Sequence, residues 1–157
     1  MMKRFILAFI VMITMTTLSS AQEYETAAGL RGGLYNGVTI KHFLGGKSAV
    51  EGIITTRWQG FNITGLYELH KWRAFDVDRL NWYYGIGGHL GIWDDTYATW
   101  VTAGNSVVIG VDLILGIEYT FDEIPVNIGV DWKPAFNFIG ADGFRGDGGA
   151  FSARYVF

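Results

Sequence analysis

Ser106, His89 and the carboxylates Asp94 and Asp112 are the residues of this 157-residue chain that come nearest to a nucleophilic set. A serine attacks an acyl group only when an imidazole takes its proton and a carboxylate orients that imidazole. Of Ser48, Ser106 and Ser152, only Ser106 falls at a strand end that His89 can approach from a neighbouring strand, with Asp94 or Asp112 as orienter. No local motif ties these residues together, so coincidence is the plainer reading. Gly85-Ile86-Gly87-Gly88-His89-Leu90-Gly91 suggests a dinucleotide loop, but Leu90 occupies the third glycine position and no helix follows. Small residues in a crowded sheet explain it better. His42, His70 and His89 lie on different strands without the paired spacing of a metal site. Asp94-Asp95 and Asp142 to Asp147 could draw a divalent cation, but they read as solvated loops. Asn62-Ile63-Thr64 also matches a glycosylation sequon. The expectation is no enzyme, no cofactor and no metal.

Composition narrows the class. Charged residues make up 17% of the chain, against about 25% in an ordinary soluble domain. Beyond residue 21 there are 15 acidic and 10 basic residues, a net charge of −5, which excludes a basic nucleic-acid surface. The absence of cysteine excludes a disulfide framework, a thiolate zinc site and a lipoprotein anchor. Lys3 and Arg4 precede nine apolar residues, Phe5 to Ile13, and Ser19-Ser20-Ala21 supplies small residues before Gln22. Nine helical residues rise about 14 Å, too short for a hydrocarbon core of roughly 30 Å. Residues 1–21 therefore read as a signal peptide cleaved after Ala21, and 22–157 as one barrel domain.

From Glu25 onward the hydrophobic period is two. Val107, Ile109, Val111, Leu113, Leu115, Ile117, Tyr119 and Phe121 alternate with Val108, Gly110, Asp112, Ile114, Gly116, Glu118 and Thr120. Leu80 to Ile92 and Phe151 to Phe157 repeat the pattern. Turn signals divide the chain into strands near 25–35, 38–44, 49–59, 61–71, 80–93, 106–121, 125–137 and 149–157. Asn36-Gly37 is expected to form a type I′ hairpin, and 139–148 a glycine-rich loop. Pro125 can begin a strand, whereas Pro134 should mark a bulge or the end of regular pairing. Eight such strands predict an all-β, antiparallel up-and-down barrel that hides its edges by closing.

Alternation serves a soluble calyx and a transmembrane barrel equally, with opposite faces in water. The polar phase carries Arg31, Lys41, Arg57, Lys133 and Arg154 against Glu51, Glu68, Asp112, Glu118 and Asp131. Five charges of each sign suit a narrow lumen in which charges must pair. The other phase is nearly uncharged and places Trp82, Tyr84, Tyr119, Phe121, Tyr155 and Phe157 at one rim, with Trp58, Phe61 and Trp132 toward the other. Two aromatic girdles favour a transmembrane β-barrel. His42 is the exception on that phase.

The signal peptide, the eight alternating strands and the terminal Tyr155-Val156-Phe157 resemble small bacterial outer-membrane barrels of the OmpA/OmpX type. The segments Trp82 to His89 and Val130 to Phe136 are also similar to members of such barrels. The resemblance implies an outer-membrane location, lipid contact, and recognition of Tyr155 and Phe157 by the barrel-assembly machinery. It implies no activity, and a monomer is the simplest assembly. A structural or surface-contact role, acting through loops 94–105 and 139–148, is expected. A lipid-modifying enzyme and a soluble lipocalin-like barrel are the alternatives.

Overall fold

The computed structural model describes residues 24–57, 60–93, 107–141 and 143–157. The signal segment, Trp58, Asp94, Asp142 and Ser106 with the loop before it lie outside the described residues. The elements are β1 (Thr26–Gly33), β2 (Asn36–Gly45), β3 (Ser48–Arg57), β4 (Gly60–Lys71), β5 (Leu80–Ile92), β6 (Val107–Thr120), β7 (Val126–Trp132), β8 (Ala135–Ile139), β9 (Phe144–Arg145) and β10 (Gly149–Val156). Among the described residues a single 3-10 turn, Ala74–Asp76, lies between β4 and β5.

Neighbouring strands pair antiparallel, and β1 pairs with β10, so the sheet closes on itself. β6 pairs with β7 over Leu115–Thr120 and with β8 over Ile109–Asp112. Between β7 and β8 stands Pro134, which has no N–H to give a neighbour. Its carbonyl still accepts the Leu113 N–H at 2.9 Å, so the ladder continues across the break. β7 and β8 therefore form one interrupted stave, and the barrel has eight. The expected interruption at Pro134 is present. Two other expectations change. The 139–148 segment contains β9, which pairs with β8 and lengthens that hairpin. The first turn is Leu34-Tyr35, not Asn36-Gly37, and the Gly33 N–H donates to Asn36 Oδ1 at 3.2 Å. Gly37 lies within β2, where a Cβ would sit 1.9 Å from the Ile54 carbonyl oxygen of β3, so the close approach of the strands requires glycine there.

Burial follows the two-residue period, strictly in β4 and along most of β6. The inward phase holds the charges and the outward phase the large apolar residues, many of them more than 40% exposed. On the outward phase of the described strands the only charged side chain is Lys71, which reaches over the Trp82 ring at the end of β4. His42 points outward and bonds Thr26 Oγ1 at 2.9 Å. Both described chain ends reach one rim, here the terminal rim. There Trp82–Tyr84, Tyr119–Phe121 and Tyr155–Phe157 form ring pairs 5.1–5.4 Å apart on the outside. At the opposite, distal rim Phe61, Trp132, Phe136 and Phe138 face outward.

Candidate functional site

The lumen is built in layers along the barrel axis. Near the terminal rim Phe43 meets Tyr24 at 5.0 Å, His70 at 4.7 Å and Trp72 at 5.4 Å between ring centroids. With Ala27 and Ala49 they make an apolar plug. Small inward residues leave room for these rings.

Above the plug lies a buried ionic layer. Lys41 Nζ is 2.8 Å from Glu68, 3.2 Å from Glu118 and 3.7 Å from Glu51. Arg154 donates to Glu51 at 2.7 Å and to Asn127 Oδ1 at 3.1 Å, and stands 3.7 Å from Glu118. Tyr24 O–H donates to Glu118 at 2.9 Å, and His70 lies 3.0 Å from Glu68 and 3.4 Å from Glu118. All but Tyr24, which precedes β1, are positioned by an inward step of a strand, so the layer draws on β2, β3, β4, β6, β7 and β10. Such charges persist out of water only when paired and hydrogen-bonded. The next layer pairs Arg31 with Asp131 through both carboxylate oxygens, and Tyr83 O–H donates to Asp131 at 3.3 Å.

Toward the distal rim Asp112 accepts from Lys133 and lies 2.7 Å from His89 Nδ1, while His89 Nε2 is 3.0 Å from Asn137 Oδ1. Here the lumen widens into an open pocket of about 60 Å³. Arg145 and Arg57 converge on Asp147 at 2.6 and 3.6 Å. Tyr35 sits beneath both guanidinium groups, at 5.6 and 5.0 Å from its ring. Burial pulls the Asp147 carboxyl upward, but the Arg145 hydrogen bond and charge outweigh it and hold its pKa below the ordinary value. Burial lifts the Tyr35 hydroxyl above its ordinary value. Trp93 folds back over β5, so that a Cβ on Gly91 would lie 1.7 Å from its ring.

Of the charges read from the sequence, Arg31, Lys41, Glu51, Glu68, Asp112, Glu118, Asp131 and Arg154 are buried inside the barrel. Lys133 joins them at the mouth, where it meets Asp112. Arg57 also sits at the mouth, 3.6 Å from Asp147. Tyr155 and Phe157 lie outside the wall at the terminal rim.

No family model, curated protein or solved structure matches this chain. Its chemistry therefore rests on geometry. Sequence reasoning missed Tyr24, His70, Tyr83 and Asn127 as members of the buried network. His70 and Asn127 share the inward phase with the charges, which is the signal that identifies them. Tyr24 precedes the first strand and carries no such signal. In Gly85–Gly91 the glycines serve packing, since a Cβ on Gly87 would meet the Gly65 carbonyl oxygen at 1.9 Å.

Proposed function

We propose that this chain is a non-enzymatic, integral β-barrel of the bacterial outer membrane, of the OmpA/OmpX type, with an envelope or surface-contact role. One observation carries the reading: the barrel is apolar outside and charged inside, the reverse of a protein whose wall faces water. Leaving Leu30, Ile40, Ile86, Leu113 and Val130 in water forgoes their burial, while burying eight charged side chains inside is costly. In lipid the exterior is at home. Lys71 at the terminal rim can extend its ammonium to the headgroups, and the paired aromatics sit where amphipathic rings favour an interface. The partners of this reading are outer-membrane lipids and the barrel-assembly machinery, with no nucleic acid, and the protein acts as a monomer. It is exported by a signal peptide cleaved after Ala21. With an interior filled by side chains, a diffusion pore is not part of the proposal.

Fractionation of expressing cells, with gel mobility compared before and after boiling, tests this. The expected result is an outer-membrane band of compact mobility that slows on heating. A band that stays soluble without detergent and does not shift would overturn the reading in favour of a soluble lipocalin-like barrel.

A second reading stands on the 2.7 Å contact between His89 and Asp112, the base and orienter of a lipid-modifying enzyme. It requires turnover of lipid A or phospholipid that disappears in Ser106→Ala.

A further inference from the structure

Two carboxylate oxygens of the ionic layer, Glu51 Oε2 and Glu68 Oε1, are buried without a hydrogen-bond donor. The two carboxyl groups nevertheless lie within hydrogen-bonding reach of each other. Ala49 pairs with Glu68 and Glu51 with Leu66, so the glutamates are diagonal neighbours on the inner face of β3 and β4. We propose that Glu51 and Glu68 share one proton, carried by Glu68, and that this acid–carboxylate clasp makes the ionic layer sensitive to alkali.

One proton answers both atoms. A protonated carboxyl donates an O–H and keeps an acceptor oxygen, whereas two carboxylates offer acceptors only. An O–H bonded to a carboxylate is short and strong, while two bare carboxylates in contact away from water repel.

The surroundings decide which glutamate holds the proton. Glu51 Oε1 accepts from Arg154 at 2.7 Å and also from Thr39, the setting of an anion. Glu68 meets Lys41 at 2.8 Å and His70 at 3.0 Å, both through Oε2, which leaves Oε1 to carry the proton. Glu118 has a donor on each oxygen, Tyr24 at 2.9 Å and Lys41 at 3.2 Å, and needs none. The competing place for the proton is His70 Nδ1, which is buried without a hydrogen bond and stands 3.4 Å from Glu118. A proton there answers one atom at long range. A proton between the glutamates answers two.

The remaining elements supply no rival donor. Tyr83 of β5 stacks on His70 at 4.9 Å and lies under Lys41 at 3.8 Å, and its O–H donates to Asp131 in the next layer. Asn127 of β7 is bonded to Arg154. A proton kept in the folded barrel and given up on unfolding stabilises the fold at lower pH, and the gain is lost as pH rises and the proton leaves. The clasp lies inside the wall, so it is independent of the membrane reading.

Infrared difference spectra of the purified folded protein test it. At neutral pH the wild type should show the carbonyl band of a protonated carboxyl, and Glu68→Gln should lack it. An amide N–H at position 68 still faces Glu51, so the folding equilibrium constant of Glu68→Gln should stay within about tenfold of wild type. Glu51→Gln removes the anion from Arg154 and should lower that constant by roughly a hundredfold or more. Raising the pH until the band disappears should lower the urea midpoint of the wild type more than that of Glu68→Gln. The proposal is overturned by a folded wild type without the band, or by a band that survives Glu68→Gln. It is equally overturned if Glu68→Gln is as damaging as Glu51→Gln, or if wild type and Glu68→Gln lose equally in alkali.

Discussion

Arg154 is the residue on which the ionic layer turns. It is 1% exposed and joins Glu51, Glu118 and Asn127, so Arg154→Met leaves carboxylates buried and short of a partner. Breaking a buried pair costs about 3–5 kcal/mol, and equilibrium unfolding in detergent should show a loss of that order. A loss under about 0.5 kcal/mol would move Arg154 to solvent and refute the inward register. Asp147 behaves differently because it is solvated at the lip. Its folded pKa is lowered, so its contribution is complete above the ordinary carboxylate value and disappears as pH falls through the lower folded one. The distal lip should hold at neutral pH and loosen only below about pH 4. A carboxyl titration of Asp147 by NMR with a midpoint at or above about 3.9 would contradict this. The sequence makes the inward charges legible because a period of two assigns every strand residue a face. It cannot say which charge meets which, because partners such as Arg31 and Asp131 are 100 residues apart and meet only through the closed barrel. That is why Asp147, in an irregular segment without a phase, was not paired with Arg57.

The strands were the most legible part of the chain. Long alternating runs over β5 and β6 leave little freedom of type or register. The hairpin ends were less so, since Asn36-Gly37 carries a turn signal yet lies in β2, where Gly37 is needed for close approach to β3. β9 was hidden for the opposite reason, as two residues among glycines have no period to read. Glycine roles can be separated on neighbouring strands. A Cβ on Gly87 would meet backbone at 1.9 Å, whereas one on outward Gly65 would meet nothing within 4 Å. Gly87→Ala must push β4 and β5 apart and should cost about 1–3 kcal/mol. Gly65→Ala should be neutral or slightly stabilising, within about 1 kcal/mol. Urea midpoints in detergent compare the two, and equal effects would show that crowding does not govern this wall.

For the molecule as a whole, folding and delivery should separate at Phe157. Its N–H donates to the Thr26 carbonyl at 2.8 Å and its ring packs edge-on against Tyr155. Deleting it removes one ladder bond, worth about 1 kcal/mol, so refolding in detergent should be nearly normal. On the proposed outer-membrane reading, abundance in purified outer membranes should nevertheless fall sharply, because the resemblance implies that this aromatic is the end that an assembly machinery would read. Wild-type abundance there would end the targeting role. The pairing of β1 with β10 runs unbroken from Ala27–Val156 to Gly33–Ala150. By hydrogen bonding the protein is thus a ring, and only its covalent chain has a beginning and an end. Cutting that ring elsewhere should not disturb it: a circular permutant that joins Phe157 to Tyr24 by a short linker and opens at Gly46, a turn on the same rim, keeps every strand neighbour. Such a permutant should refold in detergent to a heat-modifiable band while losing its free aromatic terminus, so a seam that the proposed assembly route would read need not matter to the fold.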